Sequence, residues 1–184
     1  MASNVRVDLK PLDRFAAEVK RDLRSTGNGP VRRAIRQWAA RYRSFVQQLF
    51  DNNSKGGGGW ASLAASTKAR RRKARRGRVR GVARSFSILR DTGLLFAALT
   101  PTWTRKPGAI QQDIPFGVRA GYGGPARHPG GKASIADIAG FHQTGAGRLP
   151  KREIIVDPDQ RTLDAMADDM ERGLGNMARI TGVN

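Results

Sequence analysis

The sequence predicts an α+β fold: a small antiparallel or mixed β-sheet packed with helices, with an N-terminal helical hairpin and a long basic arm. Three observations carry this. Two apolar stripes at helical spacing open the chain and a third closes it. Between them, short apolar runs are bounded by Gly- and Pro-rich breakers. The order of elements is not the regular strand-helix alternation of a parallel sheet.

Taken in order, Leu12, Phe15, Ala16, Val19 and Leu23 recur at helical spacing and predict a helix over Pro11–Arg24, stopped by "STGNGP". A second helix follows over Val31–Phe50, with Val31, Ile35, Trp38, Ala39, Tyr42, Phe45, Val46 and Leu49 as its stripe. An antiparallel pairing of these two across the Gly-Pro turn is expected. "DNNSKGGGG" reads as a flexible loop, and "WASLAAST" restarts order with Trp60 and Leu63 as anchors. The stretch Lys68–Arg84 holds ten basic residues in seventeen and no acid, so self-repulsion predicts a mobile arm unless a polyanion or acidic partner neutralises it.

Asp91 or Thr92 can cap a short helix carrying Leu94, Leu95, Ala98 and Leu99 before Pro101. Strands are expected at Ile110–Ile114 and Phe116–Tyr122, with Pro115 at the bend, and "GGPARHPGGK" is a loop. Ser134 caps a helix over "IADIAGFHQTG" that Gly145 ends, and "REIIV" reads as a strand. Pro158 starts a last helix, Asp159 to about Ile180, with Leu163, Met166, Met170, Leu174 and Met177 as its stripe. These elements group as a hairpin (1–53), a Gly-rich and basic arm (54–87) and an α+β core (88–184), within one domain overall.

Composition narrows the function. The chain has 184 residues, with 34 Lys plus Arg against 15 Asp plus Glu, a formal charge of +19. It has no cysteine and two histidines, which excludes a disulfide framework, a thiolate metal site and a His-rich metal centre. No apolar run approaches a membrane span, and 1–10 carries no signal-like apolar region, so a cytoplasmic site of synthesis and no membrane partner are expected. Neither "SKGGGGW" nor any other stretch has the spacing of a phosphate-binding loop, so no cofactor is expected.

His142 invites a catalytic reading, but Ser134, Thr144, Asp137 and Asp113 lie in no recognisable nucleophile motif around it. The favoured reading is structural: His142, Gln143 and Gly145 form a turn that positions "REIIV". His128 sits in a Gly-Pro loop. Asp164, Asp168, Asp169 and Glu171 on the last helix read as a partner-facing acidic stripe and as oligomer-interface candidates. The feature that calls for a function is the arm. Lys68, Arg70, Arg71, Arg72, Lys73, Arg75, Arg76, Arg78, Arg80 and Arg84 are candidates for polyanion or partner contact, without the aromatic interleaving of a single-strand stacking platform.

In sequence order, "WASLAAST", "ILRDTGLLFAAL", "GVRAGYG", "IAGFHQTG" and "LPKREIIV" with a closing helix resemble the phage virion morphogenesis proteins, the tail-completion and head–tail joining proteins of tailed bacteriophages. The strongest parts are Leu89–Leu94 and Phe141–Gly145, and the similarity runs from about Trp60 to the C-terminus. The resemblance implies a non-enzymatic subunit of the virion neck or tail end, assembled in the host cytoplasm as a homo-oligomeric ring such as a hexamer. Its implied partners are other neck, portal or tail proteins, with nonspecific DNA contact. The alternative is a free basic protein that binds nucleic acid without sequence preference.

Overall fold

In the computed structural model, residues 9–54, 58–75, 87–90, 93–99, 108–123, 126–128, 132–147 and 149–183 are described. Their elements run α1 (Lys10–Arg24), α2 (Pro30–Asn53), α3 (Ala65–Arg75), α4 (Leu94–Leu99), β1 (Ala109–Ile114), β2 (Gly117–Tyr122), α5 (Ile135–Thr144) and α6 (Gln160–Thr181). The fold is α+β, with β1 and β2 pairing as an antiparallel hairpin. A single antiparallel bridge joins Arg127 to Ser134.

These residues fall into two compact units, each discontinuous in sequence. One draws on Met1–Ala39, Gln112–Arg119 and Asp159–Asn184, the other on Ala40–Gln111 and Ala120–Pro158. A division into consecutive segments cuts across both, because α2 and the hairpin contribute residues to each.

In the first unit, Asp22 is the one buried residue of α1. Its carboxylate accepts from the backbone N–H groups of Val31 (2.9 Å) and Arg32 (3.2 Å), capping α2 from the preceding helix where the positive end of the helix dipole favours an anion. Gly29 makes room for it: a Cβ there would lie 1.9 Å from Asp22 Oδ1. The helix packed along α1 is α6, where an antiparallel pair with α2 was expected. Periodicity identifies an apolar face but not the element that covers it.

Asp159 caps α6 by accepting from Thr162 N (2.9 Å), and Gly182 ends it in the left-handed region at φ 73°. The buried face of α6 is Met166, Asp169, Gly173, Met177 and Thr181, whereas Leu163 of the expected stripe is 44% exposed. Glycine at 173 permits close approach to α2, since a Cβ would sit 2.9 Å from that of Ala34. Arg32 is fully buried, and its guanidinium donates to Gly117 O and Ile114 O, both at 2.9 Å, spanning the hairpin turn. Arg36 donates to Asp113 and holds that carboxyl below the usual carboxylate range.

The second unit is organised on Phe50, which is fully buried and meets Trp60 (5.1 Å) and Phe96 (5.4 Å) edge to face. Val46, Leu95, Leu99, Ile135 and Ile154 complete the core, and Leu63 packs against it, so both expected anchors of "WASLAAST" serve. Aromatic polar tips find backbone partners: Trp60 donates to Glu153 O (3.0 Å), Tyr42 to Val156 O (3.1 Å) and Tyr122 to Leu95 O (3.0 Å). Burial raises the pKa of both tyrosines. The stretch "REIIV" forms no strand, and its backbone is held by a side chain described below.

Candidate partner-binding surface and the His-Gln turn

The basic run is helical in its first part. Ala65–Arg75 forms α3 although six of its eleven residues are cationic. Ala, Arg and Lys are strong helix formers, and this intrinsic preference outweighs the few tenths of a kcal/mol that each like-charge pair costs. A tertiary tie adds to it: Arg71 is 3% exposed and donates to Ser87 O at 2.8 Å. Arg71 is therefore not on the contact face proposed for it. Lys68, Arg70, Arg72 and Lys73 are exposed, so over residues 68–75 the expectation of a mobile arm gives way to a helix that presents these four cations. Arg75 ends α3, and Arg76, Arg78, Arg80 and Arg84 lie outside the described residues.

The turn around His142 is built from α5. Ser134 and Asp137 form a reciprocal capping box at its start, which holds the Asp137 carboxyl below its ordinary range. Gly145 ends the helix at φ 75°, its N–H returning to Phe141 O at 2.9 Å. Gln143 then acts as a neighbouring strand would. Its Oε1 accepts from Ile154 N (2.9 Å) and Ile155 N (3.0 Å), while its Nε2 donates to Ile155 O (2.6 Å). A side-chain amide has the donor and acceptor set of a peptide group, so one residue satisfies a segment that no strand pairs.

His142 contributes through its backbone, whose carbonyl accepts from Arg152 N at 2.7 Å. Its ring is half-buried, with Nδ1 3.5 Å from the Arg152 guanidinium. Burial, and then the Arg152 charge, push the imidazole pKa down to about 4. The ring is thus neutral at pH 7, and a cation facing Nδ1 places the proton on Nε2. Arg152 is 5% exposed and ties the turn to the stretch before α3, donating to Ala61 O (2.9 Å) and Ser62 O (3.1 Å). Sequence reasoning missed Arg152, because a buried arginine and a solvated one have the same local signature.

On α6 the acidic candidates separate. Asp164, Asp168 and Glu171 are exposed, while Asp169 is 2% exposed and paired with Arg172. Asp169 lies three residues after Met166 and four before Gly173, which puts it on the buried face and removes it from the interface stripe.

Chemically, the exposed groups suit electrostatic contact. Among the described residues, no group of three His, Asp or Glu side chains is placed to hold a metal ion, and no helix is long and apolar enough to cross a membrane. No protein-family model, curated protein or solved structure matches the chain.

Proposed function

We propose that this chain is a structural virion protein of a tailed bacteriophage, acting in head–tail joining or tail completion as the subunit of a neck or tail-terminator-like ring. The observation that carries the reading is an exposed cationic helix in a chain that also exposes acids on another helix. The exposed charged side chains described on α3 are Lys68, Arg70, Arg72 and Lys73, while α6 exposes Asp164, Asp168 and Glu171 alongside Arg161, Arg172 and Arg179. Cations on one helix and acids on another helix of the same chain suit head-to-tail contact between identical subunits, which closes a ring when the rotation allows. The order of short motifs from Trp60 to the closing helix supports the same reading. The alternative, a free nonspecific nucleic-acid binder, is favoured by the all-cationic character of α3 taken alone.

The test replaces Lys68, Arg72 and Lys73 with Gln, which preserves helix propensity and leaves buried Arg71 in place. Light scattering and negative-stain imaging of the purified chain are expected to reveal a closed ring that the triple variant fails to form. Asp164→Lys with Asp168→Lys should also abolish it, and combining the two sets should not worsen the defect additively. A monomer or dimer whose only salt-sensitive property is DNA binding would refute the ring and favour the alternative.

A further inference from the structure

Asn28 and Gly29 form the one Asn-Gly pair in the sequence, and the fold holds each residue in place for a separate reason. Glycine is required at 29 because a side chain there would run into the Asp22 carboxylate that caps α2. Asn28 is held because its Oδ1 accepts from the Arg36 guanidinium, which also donates to Asp113 (2.9 Å) and to Thr26 O (2.8 Å). The pair lies between α1 and α2, within the first unit, and Asn28 is exposed to water.

Such a pair is chemically labile. A backbone nitrogen can attack the side-chain amide carbon of the residue before it, and the side chain of the attacking residue is what ordinarily hinders the approach. Glycine has none. Among the described residues none accepts from the Gly29 N–H, so this nitrogen is open to lose its proton to water. Arg36, as a cationic donor to Oδ1, draws electron density from the amide carbon that is attacked.

We propose that Asn28 is a site of spontaneous deamidation through a cyclic imide. The Gly29 nitrogen bonds to Asn28 Cγ as its proton passes to solvent, the Cγ–Nδ2 bond breaks, and the departing nitrogen takes up a proton and leaves as ammonia. Water then adds to one of the two imide carbonyls and opens the ring. Opening at Cγ gives aspartate; opening at the main-chain carbonyl gives isoaspartate, whose chain runs through Cβ and Cγ. Nothing is oxidised or reduced, and the net change is amide plus water to carboxylic acid plus ammonia. Aspartate keeps the backbone and turns the contact with Arg36 into an ion pair. Isoaspartate adds one carbon to the main chain directly before Gly29, which sits against Asp22, and so draws the N–H groups of Val31 and Arg32 off the capping carboxylate. The site is independent of the ring reading, because the reaction needs no second copy.

The test incubates the purified full chain at mildly alkaline pH in heavy-oxygen water and follows each asparagine by peptide mass spectrometry. The Asn28 peptide is expected to gain one heavy oxygen at least about tenfold faster than the peptides of Asn53 and Asn176, whose following residues carry side chains, and to resolve into aspartate and isoaspartate forms. Unfolding in urea should raise the Asn28 rate by less than about tenfold, since an exposed turn leaves the pair open. The isoaspartate form, separated by ion exchange, should unfold at a lower urea midpoint than the parent chain. Asn28→Asp, which carries the new charge on an unaltered backbone, should match or exceed the parent. An Asn28 rate no faster than that of Asn176, a larger acceleration by urea, or a product without isoaspartate would overturn the proposal. An isoaspartate form as stable as the parent, or an Asn28→Asp chain destabilised as much as the isoaspartate form, would overturn it equally.

Discussion

Lowering the pH from 7 to 4 is expected to destabilise the fold through His142. The folded-state pKa of about 4 lies below the ordinary 6.5, so the unfolded chain binds the proton more readily throughout that interval. Stability from the neutral ring is fully present above about pH 6.5 and is lost as pH falls towards 4. At about 1.36 kcal/mol per pKa unit the ceiling is roughly 3.4 kcal/mol. The ring is only half-buried, so solvent reaching it weakens both effects and about 1–2 kcal/mol is the expected loss. Asp113, Asp137 and Asp159, whose pKa values lie below 3.8, lose their contributions only under still more acidic conditions.

The assay compares urea unfolding of wild type and His142→Gln by tryptophan fluorescence at pH 7, 5.5 and 4.5 and constant ionic strength. At pH 7 the variant should be about 1 kcal/mol less stable, the usual worth of a lost polar contact. As pH falls, wild type should lose more than the variant, and the gap should close or reverse by pH 4.5. A gap that stays constant or widens in acid would refute the claim that the ring is held neutral beside Arg152.

Three further outcomes are expected. Gln143→Leu leaves the N–H of fully buried Ile154 without its acceptor and should cost about 1–3 kcal/mol in urea unfolding, with faster amide exchange confined to Ile154 and Ile155. Asp22→Ala removes the cap of α2 and should cost about 1–2 kcal/mol, with Asp22→Asn intermediate, measured as a fall in urea midpoint at unchanged slope. Gly173→Val forces side-chain atoms against Ala34 Cβ and Pro30 O and should lower stability by about 1–3 kcal/mol, whereas Gly175→Ala, with open space around it, should be neutral or stabilising.

The elements with strong local signals were legible in the sequence. α2, α4, α5 and α6 stand where periodicity and breakers put them, and the capping box at Ser134 and the stop at Gly145 follow from residue types that favour those positions. "REIIV" was misread because an apolar, β-branched run signals burial, and Ile154 is indeed fully buried. Strand formation also needs a paired edge, and Gln143 takes that edge's place. The exposed stripe on α6 was misread at Asp169 because an acid on the buried face of an amphipathic helix breaks the pattern that defines the face. In the turn that the sequence reading assigned jointly to His142, Gln143 and Gly145, the side chain that holds "REIIV" is the Gln143 amide.

The arginines extend this point to function. A net charge of +19 invites the inference that the whole surface is available to a polyanion. Yet Arg32, Arg71 and Arg152 are inside the fold, each donating to backbone carbonyls of loops or strand ends that regular pairing leaves open. The fork of a guanidinium suits this task because it reaches two acceptors at fixed spacing, which an ammonium cannot do. Such residues are unavailable for counterion exchange, so composition overstates the charge that a partner meets. Among the described side chains of α3 four cations are exposed, and these four contribute a slope of log K against log salt of about −3.6 on duplex DNA. A steeper dependence lost in the Lys68, Arg72 and Lys73→Gln variant would mean that these four act together with further cations, whereas a shallower one would place fewer than four of them on phosphates.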